Sequence, residues 1–355
     1  MPDHSRRALL KHMAAAGVAL PFLSPLAALA QAPADPTLAA IHPDLRAAVV
    51  SMRRYAANTP PFNRDTLAAM REGMKRWSPP PRPDVPWDKR TIRGAKGHPD
   101  LVVVVINAKA DGARPAILHT HGGGFVAGSA ESSVRMLQDL CSELDCVAVS
   151  VDYRLAPETT WRGSVEDNYA GLTWLHTNAQ ALGVDPARIA LLGESAGGGH
   201  AALLAITARD RGEVPVAFQC LIYPMLDDRT GSTRPVPAHL APVGWKAADN
   251  RFGWECFLGM APGTRRVPAV AVPARTASLA GLPPTWIGVG GLDLFVDEDI
   301  EYARRLNSAG VPTELIVVPG AFHGFDGIPS GAAVTAWFNA AKRDALRRGL
   351  GIARA

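Results

Sequence analysis

Beyond Arg90 the chain alternates short, continuously apolar runs with longer segments of helical periodicity, such as Val165 to Leu175. Continuous rather than alternating hydrophobicity is typical of strands that are buried on both faces. Strands that alternate with helices predict an α/β fold with a mostly parallel central sheet flanked by helices, whose active site lies at the carboxyl ends of the strands. The apolar runs are LVVVVINA, PAILHTH, CVAVSVDY, RIALLG, AFQCLIYP, TWIGVGG and TELIVVPG.

The segment GESAG places Ser195 between one of these runs, RIALLG, and a segment in which Ala201, Leu204 and Ala205 recur at helical spacing. A strand that turns sharply into a helix passes through a strained residue, and glycines beside that residue remove the clashes that larger side chains would cause. The segment therefore predicts a nucleophile elbow with Ser195 at its turn. For this motif alone, a glycine-rich turn without chemistry is the alternative.

A second glycine-rich loop, HGGGF from His121 to Phe125, directly follows the run PAILHT. Consecutive glycines expose backbone N–H groups that can converge on one oxygen atom, as an oxyanion hole requires. The alternatives are a flexible hinge and a metal pair formed by His119 and His121. A third ligand at suitable spacing is missing from the nearby sequence, so no metal is predicted.

The first thirty residues differ from the rest of the chain. SRRALLK, with Arg6 and Arg7, precedes an apolar stretch from Met13 to Ala30 that ends in the small-residue sequence Ala-Leu-Ala. This pattern resembles a twin-arginine signal peptide cleaved after Ala30, which predicts export through the twin-arginine machinery to the periplasm or medium. Stable membrane insertion is not expected after cleavage, although an uncleaved transmembrane anchor is the alternative.

Charge and cysteine content exclude several classes of partner and cofactor. The formal charge is +4, and residues 1–30 contribute half of it through three basic residues against one acidic residue, so no nucleic-acid partner is expected. The cysteines show no metal-binding spacing, and no cofactor is predicted. A disulfide between Cys141 and Cys146 is open, but small buried thiols are favoured for all four, Cys141, Cys146, Cys220 and Cys256.

Five motifs occur in a fixed order: HGGGF, DYRLAPE from Asp152, GESAGG from Gly193, GLDLFVDE from Gly291, and FHGF from Phe322. Their order and spacing resemble the hormone-sensitive-lipase family of α/β-hydrolases, over roughly Lys89 to Arg348. The resemblance implies an esterase fold with a helical cap and a triad in the chain order Ser, Asp, His. Carried over, the triad is Ser195, Asp293 and His323, and the oxyanion hole consists of the N–H groups of Gly123, Gly124 and Ala196.

The N-terminal pattern and the resemblance together predict a domain organisation. Residues 1–30 are the signal peptide, residues 31–88 form an N-terminal cap segment and a proline-rich linker, and residues 89–355 form the catalytic domain with a cap insertion at about 229–282. Apolar side chains of the insertion could line an acyl pocket or join the cap to the core. These side chains are Trp245, Phe252, Trp254, Phe257, Leu258 and Met260.

Two assignments near the motifs remain to be tested against a structure. Arg154 and Glu158 of DYRLAPE are expected to form an ion pair that supports the oxyanion loop. In DLFVDED, Asp293 is expected to orient His323, whereas Asp297 opens a helical segment where capping and dipole effects favour acidic residues.

The residues and the resemblance together indicate a serine carboxylesterase that hydrolyses short- to medium-chain esters through an acyl-enzyme intermediate. The expected partner is a small-molecule ester substrate. A lactonase, an amidase and an acetyl-sugar deacetylase on the same triad are alternatives, as is a non-catalytic ligand-binding homologue. Composition leaves both a monomer and a homodimer open.

Overall fold

The computed structural model describes residues 35–57, 59–75, 78–328 and 331–353. Contacts divide the chain into residues 1–39 and 40–355, and the described part of the first unit begins the short helix α1 (Pro36–Ala40). The expected signal peptide, with Arg6 and Arg7, lies outside the described residues and stays a prediction. Within the described residues, no helix combines the length and the apolar character needed to cross a bilayer.

Eight strands of the described residues form one sheet in the order β1-β2-β4-β3-β5-β6-β7-β8. Neighbouring strands from β4 to β8 in this order run parallel, whereas β2 runs antiparallel to both of its neighbours, β1 and β4. The predicted α/β fold with a mostly parallel sheet is therefore confirmed. The strands are β1 (Trp87–Ile92), β2 (Leu101–Ile106), β3 (Arg114–Thr120), β4 (Val147–Val151), β5 (Val184–Glu194), β6 (Phe218–Ile222), β7 (Thr285–Gly290) and β8 (Thr313–Val318).

Each apolar run of the sequence forms a strand, but the edge strand β1 corresponds to none of these runs. Its residues are partly buried or exposed up to the buried Ile92, and three of them, Asp88, Lys89 and Arg90, are charged. An edge strand with one paired neighbour does not need apolar residues on both faces. Because β1 begins at Trp87, the sheet starts before the boundary at Lys89 that the sequence suggests for the catalytic domain.

Helices cover both faces of the sheet, as α/β architectures require. The segment Val165 to Leu175 lies within a helix, as predicted. The remaining helices are α2 (Arg46–Ala56), α3 (Leu67–Lys75), α4 (Val134–Leu144), α5 (Trp161–Thr177), α6 (Ala179–Leu182), α7 (Ala196–Arg211), α8 (Ala247–Leu258), α9 (Val296–Ser308) and α10 (Ala333–Gly349), with 3₁₀ turns at Pro43–Leu45, Glu131–Ser133, Ala269–Ala271, Pro273–Arg275 and Phe325–Gly327.

Two hydrophobic clusters of the described residues contribute to the core. The larger one joins strands β2 to β5 to helices α5 and α7. The smaller one lies beside the glycine loop and includes Phe125, Trp254, Phe257 and Phe295. Helix α8 therefore shares a core with the loop that follows β3, and this contact determines the surroundings of the candidate site.

Candidate active site

Ser195 stands at a sharp turn between β5 and helix α7, as the sequence predicts. Its backbone has φ 57° and ψ −122°, a combination that non-glycine residues rarely adopt. A Cβ added to Gly193 would lie 2.2 Å from the Gly197 oxygen, and one added to Gly197 would lie 2.0 Å from the Thr120 oxygen. Both positions therefore require glycine, and the turn places Ser195 at the carboxyl end of β5.

Three side chains from separate loops form one hydrogen-bonded chain. His323 Nε2 lies 3.0 Å from Ser195 Oγ, and His323 Nδ1 lies 2.9 Å from Asp293 Oδ2. Asp293 follows β7, His323 follows β8, and the Asp293 carboxylate is fully buried. The structure thus brings together the three residues that the sequence assigns to a triad. In this arrangement a carboxylate holds the Nδ1–H tautomer, which leaves Nε2 free to accept the serine proton.

Two rings hold the imidazole of His323 from the sides. The Tyr223 ring centroid lies 4.6 Å from that of His323 and the Phe295 centroid lies 5.2 Å from it, both in edge-to-face geometry. Tyr223 donates from its hydroxyl to Asp326 at 2.6 Å, and burial together with this carboxylate raises the pKa of the phenol well above its usual value. The sequence alone does not identify Tyr223, because its contact with His323 arises only from the order of the strands.

The glycine loop lies directly against the elbow. A Cβ added to Gly122 would lie 3.6 Å from the Ser195 Cβ. Gly123 has φ 121° and Gly124 has φ 63°, and a Cβ on Gly123 would lie 2.1 Å from the Ala127 oxygen. Only glycine accommodates both the backbone angles and the close approach, so the loop presents bare backbone beside the Ser195 hydroxyl.

Buried aromatic contacts support this loop from behind. The His121 ring stacks on Tyr153 with centroids 4.2 Å apart, and the Tyr153 hydroxyl donates to the His121 carbonyl oxygen at 2.7 Å. His121 Nδ1 lies 2.8 Å from the Gly122 oxygen. Burial lowers the pKa of His121 to about 4, so its ring is neutral near pH 7. The histidine of the motif therefore serves to hold the loop backbone.

His119 points to different partners. Its Nδ1 lies 2.8 Å from Ser150 Oγ, and its Nε2 lies 3.0 Å from Glu194 Oε2. Burial of Glu194 raises its pKa, but the neighbouring His119 lowers it, and the net pKa of that carboxyl is below its usual value. His119 and His121, which were considered as a metal pair, are therefore hydrogen-bonded to different groups. Among the described residues, no group of three or more metal-ligating side chains occurs.

The expected ion pair between Arg154 and Glu158 is wrong. Arg154 instead forms a bidentate pair with the buried Asp167, with Nη2 to Oδ1 at 2.8 Å. Glu158 pairs with Arg71 of α3 at 2.7 Å, and the Arg71 Nε donates to the Val126 oxygen. The loop after the glycines is thus supported by an arginine from the N-terminal segment, which no local sequence pattern indicates.

The apolar side chains of the 229–282 segment differ in their burial and contacts, and the acyl-pocket role stays a prediction. Trp254, Phe257 and Leu258 are buried in the smaller core cluster and join α8 to the core. Met260 is 38% exposed. Trp245 is partly buried and lies against Gly124, whereas Trp254 and Phe257 contact the ring of Phe125 at the end of the glycine loop.

The acidic residues that open α9 differ in environment. Asp297 is exposed in the first turn, as expected for a residue that interacts with the helix dipole. Glu298 is buried and accepts hydrogen bonds from the Leu226 and Asp227 backbone N–H groups, at 2.7 and 3.2 Å. Burial raises the pKa values of Glu298 and Asp299 well above the usual range, an outcome that sequence position does not indicate.

The four cysteines are buried and free, as favoured from the sequence. Cys141 and Cys146, the pair for which a disulfide was left open, have their sulfur atoms 3.9 Å apart. The hydrogen bond with Cys146 and burial raise the pKa of the Cys141 thiol well above its usual value, which disfavours the reactive thiolate.

Burial of His200 predicts a loss of stability in mild acid. His200 lies among the rings of Phe125, Tyr153 and Phe257, and burial together with His121 lowers its pKa to about 3. The unfolded chain binds this proton near pH 6.5, whereas the folded chain does not until about pH 3, so stability falls as the pH falls through that window. This histidine alone contributes a loss of about 2 kcal/mol in the free energy of unfolding between pH 6.5 and pH 5.

Denaturant unfolding of His200→Leu at both pH values measures this contribution. We expect a smaller difference between the two pH values than in the unaltered protein. His239→Leu, at an exposed histidine, is the control. An equal pH dependence in His200→Leu and the unaltered protein would contradict the prediction.

Residues 117–327 match the protein family described as alpha/beta hydrolase fold. Esterase LipI of Mycobacterium tuberculosis is 37% identical over 217 residues, which are 60% of this chain and 66% of LipI. Carboxylesterase NlhH of the same species is 32% identical over 295 residues, covering 79% of this chain and 90% of NlhH. The solved structure titled Bacterial Heroin Esterase superposes with a TM-score of 0.80 at 37% identity, over 90% of this chain and 100% of that one.

Proposed function

Because this chain belongs to the alpha/beta hydrolase family, and the relatives that it resembles are named esterases and carboxylesterases, we propose that it hydrolyses carboxylic esters through Ser195. The observation that carries this proposal is the hydrogen-bonded chain from Asp293 through His323 to Ser195 beside the glycine loop. The substrates are short- to medium-chain esters, and the reaction passes through an acyl-enzyme.

The first half of the reaction forms the acyl-enzyme. His323 Nε2 removes the proton from Ser195 Oγ as that oxygen attacks the ester carbonyl carbon. Negative charge moves to the former carbonyl oxygen, where the backbone N–H groups of Gly123, Gly124 and Ala196 stabilise it. His323 then donates the proton to the leaving alcohol, and the acyl group remains on Ser195.

The second half releases the acid. Water loses a proton to His323 Nε2 and attacks the acyl carbon, the same N–H groups stabilise the second oxyanion, and His323 returns the proton to Ser195 as the carboxylic acid departs. Asp293 accepts the Nδ1–H of His323 throughout, and its carboxylate stabilises the imidazolium that forms in each half.

Rapid-mixing kinetics with p-nitrophenyl acetate test the proposal. An acyl-enzyme whose hydrolysis is slower than its formation gives a burst of nitrophenol close to one equivalent per active site. An organophosphonate inhibitor is expected to form a covalent adduct with Ser195, which mass spectrometry of peptides locates. The Ser195→Ala variant should lose both the burst and the labelling. Full turnover by Ser195→Ala would exclude the proposed mechanism. A series of p-nitrophenyl esters then measures the chain-length preference.

We also propose that the protein is exported to the periplasm or medium through the twin-arginine pathway. The proposal rests on Arg6 and Arg7 ahead of an apolar stretch and the small-residue sequence at Ala28 to Ala30. Replacing both arginines by lysine keeps the charge but removes the guanidinium pair that this pathway reads. Active enzyme should then accumulate in the cytoplasm.

Fractionation of cells followed by an esterase assay measures this effect, with Lys11→Arg as the charge-conserving control. Periplasmic activity that stays unchanged in the double lysine variant would count against twin-arginine export.

A further inference from the structure

The 229–282 segment contacts Gly124 from two directions. A Cβ added to Gly124 would lie 2.2 Å from Trp245 Cη2 and 2.6 Å from Trp245 Cζ2, so the indole touches the bare Cα of this glycine. A Cβ added to Gly253 of α8 would lie 2.6 Å from the Gly124 oxygen, so the helix backbone also approaches closely. Gly124 is therefore enclosed between the Trp245 ring and helix α8.

The indole itself is held in one orientation. Trp245 Nε1 donates to Asn250 Oδ1 at 3.2 Å, and the wholly buried Asn250 donates to the Thr230 oxygen at 2.8 Å. The Phe62 ring meets the indole in edge-to-face geometry with centroids 5.5 Å apart. These contacts leave little rotational freedom for the indole, so it is a rigid surface against which the loop packs.

The glycine loop needs such a surface. Glycine has the largest backbone freedom of any residue, so a run of three glycines has a high entropic cost of ordering and no side chains to fix it. The Val126 and Ala127 N–H groups both donate to the Gly123 oxygen, which orders the far end of the loop. The contacts of Gly124 with Trp245 and Gly253 order the end that adjoins the 229–282 segment.

We propose that Trp245 is a positioning residue of the oxyanion hole, which fixes the Gly124 N–H where the oxyanion develops. This proposal rests on the proposed function, because it assigns a role within the same reaction. Misplacing a catalytic group by about 1 Å can cost about 100-fold in rate. The 229–282 segment then contributes to the rate of the chemical step as well as to the shape of the pocket.

Steady-state kinetics of three variants test the role of Trp245. With p-nitrophenyl acetate, Trp245→Ala is expected to lower kcat at least about tenfold with a much smaller change in KM, because the N–H acts mainly in the transition state. Trp245→Phe keeps an aromatic face against Gly124 and should retain most of the rate. Trp161→Ala is the matched control, since Trp161 packs on the same core cluster from helix α5, and it should retain nearly full kcat.

Affinity for a trifluoromethyl ketone provides a readout that general destabilisation does not produce. Ser195 adds to such ketones to give a tetrahedral oxyanion. Trp245→Ala should therefore raise the inhibition constant by about the factor by which it lowers kcat/KM. Thermal unfolding confirms that each variant is folded, and Trp245→Leu replaces Trp245→Ala if the latter is not. A change confined to KM, an unchanged inhibition constant, or an equal loss in Trp161→Ala would overturn the proposal. Activity of Ser195→Ala, by contrast, would refute the proposed function itself.

Discussion

The Asp293→Asn variant is expected to lose roughly three to four orders of magnitude in kcat while it keeps its fold. In the structure, the Asp293 carboxylate accepts the Nδ1–H of His323 and also the Phe295 backbone N–H, at 3.0 Å. An asparagine whose oxygen keeps the Phe295 bond presents its NH₂ group to His323. The imidazole must then accept at Nδ1 and carry its proton on Nε2, where it can no longer accept the Ser195 proton.

Asp297→Asn is the matched control, because the same chemical change is made four residues away. Asp297 is exposed in the first turn of α9, and asparagine also suits a helix start, so we expect a loss of at most about 1 kcal/mol in stability and little change in kcat. Steady-state kinetics and thermal unfolding of both variants measure these effects. Activity that survives Asp293→Asn but is lost in Asp297→Asn would show that the triad has been assigned to the wrong carboxylate.

The strands buried on both faces could be predicted because such strands have their own composition. Runs such as LVVVVINA and CVAVSVDY contain few polar residues, and each forms a strand that is buried almost throughout. The run TELIVVPG also forms a strand, but β8 lies at an edge of the sheet and is mostly only partly buried, so the expectation of burial on both faces is wrong there. The strand β1 could not be predicted in this way, because all of its residues before Ile92 are exposed or only partly buried and three of them are charged. Composition reports burial, so an exposed edge strand resembles the proline-rich linker that precedes it.

The proximity of the site residues could also be anticipated, because each follows an apolar run that forms a strand and the carboxyl ends of parallel strands meet at one edge of the sheet. The packing partners could not. Arg154 pairs with Asp167 and Glu158 pairs with Arg71, although Arg154 and Glu158 are closer in sequence to one another than to either partner. Such pairings depend on how loops and helices meet in space, which residue type and spacing do not determine.

Gly124→Ala is expected to lower kcat by about 100-fold or more, with a much smaller rise in KM. The added methyl group would lie 2.2 Å from the Trp245 indole, and φ at this position is 63°. Because Asn250 and Phe62 hold the indole, the loop has to move and carries its N–H away from the developing oxyanion. Substrate binding before the chemical step depends less on that N–H.

Two further variants separate the clash from the backbone strain. Gly310→Ala places alanine at φ 77° in open space beyond α9, so it has a comparable strain without the contact and should retain its kcat. Trp245→Ala combined with Gly124→Ala removes the indole that the methyl group would meet. If the clash is the cause, both changes disturb the same N–H, so the kcat of the double variant is no lower than that of Gly124→Ala alone. This holds although Trp245→Ala by itself lowers kcat. If the losses in kcat of the two single variants multiply in the double variant, Trp245 and Gly124 act independently. A change in KM alone for Gly124→Ala would mean that the glycine loop binds the substrate rather than the oxyanion.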